Sequence, residues 1–252
     1  MTRPSPALVT RSAARALPRV PLLLLCAAYV LPGVFGRDPW RNADLAAFGQ
    51  MLALAEGRSS WWAPALGGVP ADTALLPHWL GAGAILLLSP PLDAALAARL
   101  PFALLLAATL ALVWHATFHL ARTQAAQPVA FAFGGEAEPV DYARAIADGA
   151  LLALMATLGL LQLGHETTPE LVQLAAVSLY LYGLAAAPYR AVRSRLAVLV
   201  ALPLLADSGA PAMALAMGVA GAAVCFASRL EAVRRFAPTV AAAAAASAAL
   251  AF

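Results

Sequence analysis

Eight carboxylates lie in or beside the segments that separate the apolar runs of this chain: Asp38, Asp44, Glu56, Asp72, Asp93, Glu166, Glu170 and Asp207. A carboxylate beside an apolar wall can take a proton from a hydroxyl or hold a divalent ion, and burial raises its basicity. Asp38 and Glu170 are the best placed for that work. Asp38-Pro39 has the form of a helix start, with Asp as the cap and Pro at the first helical position. Glu170 follows Thr168-Pro169 at another helix start, where the helix dipole favours an acid. Both positions therefore have a plain structural role, and that role is compatible with catalysis. Arg41 follows Asp38 by three residues and carries a planar fork suited to a phosphate or a lipid headgroup.

The remaining candidates are less specific. Asp72 follows the turn GGVP and would be either a cavity acid or a solvated loop acid. His165 and Glu166 form a polar pair in GHETTPE. His115 and His119 are four residues apart, which is metal-ligand spacing, but no acid lies near them and no metal ligand is assigned. Trp61, Trp62 and Trp79 belong at headgroup level, and a Trp can also stack on a sugar face. The sequence contains no G-x-S-x-G, no phosphate-binding glycine loop, no C-x-x-C and no H-E-x-x-H.

The elements that must position these groups are apolar. Of the 252 residues, 62% are hydrophobic and 12% charged, which exceeds what a soluble fold of this size uses. Crossing about 30 Å of hydrocarbon takes about 20 apolar residues. The expected class is an all-α, polytopic membrane helical bundle of about seven spans, since strand-type alternation is absent. The net charge of +3 comes from arginines with no lysine, clustered beside apolar runs. That is a topology signal, and no nucleic-acid partner is expected from it. Cys26 and Cys225 both lie within apolar runs and imply no disulfide.

Arg3, Arg11, Arg15 and Arg19 precede the run from Val20 to Phe35, which is expected to be an uncleaved first span with a cytoplasmic N-terminus. A first external loop of about 36–93 follows. Residues 39–57 are predicted to form an interfacial amphipathic helix with Leu45, Phe48, Leu52 and Ala55 on its apolar face. Residues 75–92, broken by prolines, are expected to form a hairpin or interfacial segment. That choice places 12 arginines inside and 4 outside. Spans are then expected at 94–121, 144–163, 169–187, 195–207, 211–228 and 237–252. A cytoplasmic loop at about 122–143 and a second external loop at about 164–169 separate them. The apolar end at Phe252 leads to the expectation that this is the front part of a longer protein.

Several pieces of the first loop together resemble a known family. GRDPWRNADLAAFGQML, WWAPALGGVP, PHWL and AARLPFALLLA are similar to the first external loop of the GT-C superfamily of membrane glycosyltransferases. The nearest types are the aminoarabinose lipid A transferases and the protein O-mannosyltransferases. The matching positions are Asp38, Arg41, Trp61 or Trp62, Pro64, Leu66, Gly68, Pro70, Trp79 and Arg99-Leu100-Pro101, and Glu170 fits the acid of the second loop. The resemblance implies a single GT-C-like domain at the bacterial inner membrane with its active site on the periplasmic side. It implies transfer of a sugar from a polyprenyl-phosphate carrier to a lipid, glycan or protein acceptor, inverting the anomeric carbon. Asp38 and Glu170 would be catalytic, and Arg41, Asp72, Trp62, Trp79, His165 and Glu166 would contact substrate. No cofactor is required, although a divalent metal is compatible with the acids. Membrane lipids are the other expected partners. A family lysine before the second segment is replaced here by ADTALLP. The alternative expectation is a non-catalytic polytopic scaffold or transport subunit that keeps this fold.

Overall fold

In the computed structural model, residues 8–40, 42–71, 74–89 and 91–251 are described. Their regular structure is almost wholly helical: α1 (Arg19–Val30), α2 (Asn42–Ala55), α3 (Leu75–Leu88), α4 (Ala94–Ala121), α5 (Pro139–Met155), α6 (Leu158–Leu163), α7 (Pro169–Ala186), α8 (Ala191–Asp207), α9 (Pro211–Ala227), α10 (Glu231–Arg234) and α11 (Ala237–Ala251). The exception is a small hairpin of β1 (Ala65–Leu66) and β2 (Val69–Pro70), with Ala65 opposite Pro70 and Leu66 opposite Val69. Gly67 and Gly68 turn it at φ of 60° and 84°, the left-handed pair that a tight hairpin loop requires.

The long helix α4 is the axis of the molecule. Its start is set by Asp93, whose carboxylate accepts from the N–H groups of Ala95 at 3.0 Å and Leu96 at 3.4 Å. It has 28 residues, a length of about 42 Å. Among the described residues, α4 and α7 are the two helices long and apolar enough to cross a membrane. α3, α5 and α7 pack on α4, α8 packs on α7, and α9 and α11 complete a layer with α8. Phe102, Leu106 and Leu110 of α4 share one core with Leu171 and Val172 of α7. Further along α7, Tyr180 joins Val198 and Leu202 of α8 and Val240 of α11 in a second core. α7 therefore couples both. Large apolar side chains also face outward, including Leu23, Leu87, Leu104, Leu196 and Val224.

The connections gather at two ends. At one, Asp44 of α2 is bonded to Thr167 ahead of α7, Gln173 Nε2 donates to the Ser208 carbonyl at 2.9 Å, and Gly209 lies against Ala74. At the other, the N–H of Ala137 donates to the Val9 carbonyl at 3.1 Å and that of Arg11 to Gly135 at 2.9 Å. There the buried Asp148 carboxylate accepts from the Leu17 N–H at 2.8 Å and from Trp114 Nε1 at 2.7 Å. The loops at these ends fall into the same two groups as the arginine distribution in the sequence.

Four local expectations are corrected. Asp38 is not a helix cap, because residues 37–40 are irregular and α2 begins at Asn42. The buried stripe of α2 runs through Asp44, Ala47, Met51 and Leu54, one residue before the expected one, and Leu45 is exposed. Of the two forms expected for residues 75–92, the hairpin is set aside and the interfacial segment is left standing, since residues 75–88 form the single helix α3; its 14 residues span about 21 Å. Pro77 falls in its first turn, where a missing N–H is tolerated. The segment expected at 144–163 begins at Pro139 and breaks after Met155. At that break Thr157 Oγ1 donates back to the Leu154 carbonyl at 2.7 Å, a local bond that competes with helix continuation.

The Asp148 anchor predicts a specific instability. Asp148→Leu leaves two donors without an acceptor, at about 1–3 kcal/mol each. Thermal unfolding of the purified protein is expected at lower temperature, and limited proteolysis is expected to cut residues 8–17 faster. Unchanged cleavage there contradicts the anchoring.

Candidate functional site

The site is built where the segment between α1 and α4 meets the loop before α7. α2 presents Asp44 from its buried stripe, fully enclosed at 0% exposure. Its Oδ1 accepts from both the N–H and the Oγ1 hydroxyl of Thr167, each at 2.8 Å. Two charge-assisted bonds of this length stabilise the ionised carboxylate and hold the two loops together. Gly81 of α3 leaves room for the same stripe: a Cβ on Gly81 would lie 2.1 Å from the Met51 sulfur.

Arg99, two turns into α4, is 4% exposed. Among the charges acting on its guanidinium, Asp44 is the largest, followed by Arg37, Asp38 and Asp93. It nonetheless makes no ion pair among the described residues, and its Nε and Nη2 have no hydrogen-bond partner. Asp44 Oδ2, Glu166 Oε1 and Thr168 Oγ1 are likewise buried and unpartnered. One part of the molecule thus concentrates N–H donors, carboxylate acceptors and a hydroxyl that no described residue satisfies. Such groups are costly to bury unless something polar meets them. Their chemistry suits a ligand rich in hydroxyls that also carries an anionic group.

Of the expected site residues, Glu166 belongs to this cluster and Asp38 lies within the electrostatic reach of Arg99. Both Asp38 and Glu170 are exposed. Glu170 lies in the first turn of α7 behind Pro169, three residues from the Thr167 bond. Arg41 and Asp72 lie outside the described residues. His165 has a bracing role: Nδ1 lies 2.9 Å from the Leu161 carbonyl and Nε2 2.9 Å from that of Tyr29. Its ring fits only because Gly33 has no side chain, since a Cβ there would lie 1.9 Å from the imidazole Cδ2. His165 thereby ties the end of α1 to the second loop.

Trp62 and Trp79 stand apart from the acids. Their rings meet edge to face at 5.6 Å, and Trp79 Nε1 donates to the Trp61 carbonyl at 2.6 Å. Trp62 borders a groove of about 430 Å³ whose other walls come from Ala63, Pro64, Ala65, Pro70, Ala71 and Leu75. Its described lining residues are apolar and include no carboxylate. No cluster of His, Cys, Asp or Glu among the described residues is arranged to hold a metal.

Asp44, Arg99 and Thr168 were not singled out from the sequence as site residues. A signal for Asp44 was present: it interrupts a 3-4-3 apolar stripe, where a charge must be compensated by tertiary contact. Arg99 carried a similar signal, as an arginine inside an apolar run.

The clasp predicts energetic coupling. Asp44→Ala removes two bonds to a charged acceptor and is expected to cost about 3–6 kcal/mol, at about 1.5–3 kcal/mol per bond. Thr167→Val removes one bond and costs less. A double-mutant cycle read by thermal unfolding should show the two changes to be strongly non-additive, whereas simple additivity removes the interaction. No family profile matches this chain, and neither a curated protein nor a solved structure is found to match it.

Proposed function

We propose that this chain is the membrane module of a GT-C-like glycosyltransferase that uses a polyprenyl-phosphate sugar. The observation that carries this reading is the Asp44–Thr167 clasp beside Arg99, which brings the loop bearing Asp38 and the loop before Glu170 to one end of the bundle. Further support comes from the unpartnered donors and acceptors of Arg99, Glu166 and Thr168, which match a sugar phosphate in chemistry. The resemblance of the first loop to that superfamily points the same way.

In this reading the helices form a polytopic bundle of about seven crossings, with their outward leucines and valines in lipid. The arginine-rich end faces the cytoplasm and the Asp44 end faces the periplasm of a bacterial inner membrane. The acceptor hydroxyl gives its proton to Asp38 as its oxygen attacks the anomeric carbon. The bond from that carbon to the carrier phosphate oxygen breaks on the opposite face, and polyprenyl phosphate leaves with the electron pair. Glu170 orients the acceptor, and Arg41 and Arg99 stabilise the charge that grows on the phosphate. Trp62 and Trp79 offer a face for a sugar or a prenyl chain, Asp72 a further sugar contact, and Glu166 a hydroxyl acceptor. His165 holds the second loop in place.

A second reading has one observation in its favour. The groove at Trp62 is apolar, and both Asp38 and Glu170 are exposed, as in a scaffold or transport subunit that keeps the fold without the reaction.

Release of polyprenyl phosphate from a polyprenyl-phosphate sugar, measured in proteoliposomes with bacterial membrane lipid as acceptor, separates the two. The transferase reading expects turnover that Asp38→Asn lowers by about 10²–10⁴-fold, the usual contribution of a positioned base. Glu56→Gln, which removes an acid paired with Arg58 on the same loop, should leave turnover unchanged. Absence of turnover in the unaltered protein favours the scaffold.

A further inference from the structure

The opposite end of α4 carries a group of residues that the transfer reaction does not use. Trp114, Phe118 and Arg122 recur at four-residue spacing and so stack along one helix face. The Trp114 and Phe118 rings are 5.2 Å apart and 10° from parallel. The Arg122 guanidinium continues the stack, 5.3 Å from the Phe118 ring centre and 4.9 Å from that of Tyr189. On the adjacent stripe, His119 stacks on Tyr189 at 5.2 Å and 20°. His119 is 7% exposed, and its Nδ1 has no hydrogen-bond partner.

The charges here are of one sign. Those acting on His119 are Arg122, His115 and Arg190, with no carboxylate among them. The ion pairs of the described residues engage Arg11, Arg58, Arg144 and Arg235, and neither Arg122 nor Arg190. The nearest acid along the stack, Asp148, is occupied by Leu17 and Trp114. Arg122, Tyr189 and Arg190 are exposed, so the place is open to a ligand from outside. A guanidinium held over aromatic rings keeps N–H groups free to grip phosphate oxygens.

We propose that Arg122, Arg190 and His119 form a phosphate-binding site between the C-terminal end of α4 and the turn from α7 to α8. The ligand chemistry is a phosphate group, either the phosphodiester of an anionic phospholipid headgroup or free phosphate. Basic pockets between helices at a membrane face bind headgroups in this way. The site is independent of the acids at the other end and stands whether or not the chain transfers sugar.

The test is native mass spectrometry of the full chain in detergent, titrated with phosphatidylglycerol or phosphatidylcholine, with inorganic phosphate as competitor. The unaltered chain is expected to retain phosphatidylglycerol over phosphatidylcholine. Arg122→Gln and Arg190→Gln should each weaken that binding by about tenfold or more, the loss expected for one charge-assisted contact. Arg122→Lys should recover part of it, because charge returns without the fork. Arg144→Gln, at an arginine already paired with Asp141, serves as the folded control with unchanged binding. Displacement by inorganic phosphate identifies a free-phosphate site, and resistance to it identifies a headgroup site. Equal binding of the two lipids, or equal binding by the unaltered chain and the Arg122→Gln/Arg190→Gln double variant, overturns the proposal.

Discussion

A carboxylate shut away from water needs donors, and among the described residues Thr167 supplies them to Asp44. Much of the tertiary arrangement follows from that requirement. To reach Thr167, α2 must turn its Asp44 face inward. Met51, two turns further on, then falls against α3 at Gly81. The short hairpin is carried with it, since Leu66 packs where a Cβ on Gly49 would lie 2.9 Å away. Without the clasp, α2 has an apolar face and little to choose which neighbour it covers. With it, the whole first loop is fixed against α4 and the loop before α7. Buried polar contacts that select one packing among several apolar alternatives are a known use of such groups.

The two ends of the bundle then differ in chemistry. One collects acids around the buried Arg99, with several polar atoms unpartnered among the described residues. The other collects arginines against aromatic rings, with its one buried acid committed to the chain's own donors. Apolar helices of α4 and α7 lie between and keep the two apart by about 27–42 Å of helix length. The proposed transfer site and the proposed phosphate site fall at these two ends.

His165 illustrates how far a residue's type can mislead about its task. Histidine next to glutamate invites a substrate role, yet both its ring nitrogens face backbone carbonyls, and Gly33 makes room for the ring. Glu166, its neighbour, points to the opposite lesson: it is buried with one oxygen free of any partner. Adjacent residues on one loop therefore differ, one engaged with backbone carbonyls and the other holding an unpartnered oxygen, and only their surroundings separate the two.

The sequence by itself determined the helical class and the bounds of three of the apolar helices. The expected 94–121, 169–187 and 211–228 segments appear as Ala94–Ala121, Pro169–Ala186 and Pro211–Ala227. This was legible because helix starts and stops are local: Asp93 caps its own helix, and Pro169 and Pro211 open theirs. It also separated the loops into two groups, since arginine placement is a property of each loop alone. Tertiary structure decided which face of α2 is buried, that Asp44 rather than Asp38 is enclosed, and that Arg99 stands beside it unpaired. Those choices depend on residues more than fifty positions apart meeting across helices. A periodic pattern in one segment carries no record of which neighbour it will meet, so an off-by-one rotation of α2 was invisible until α3 and α7 were in place.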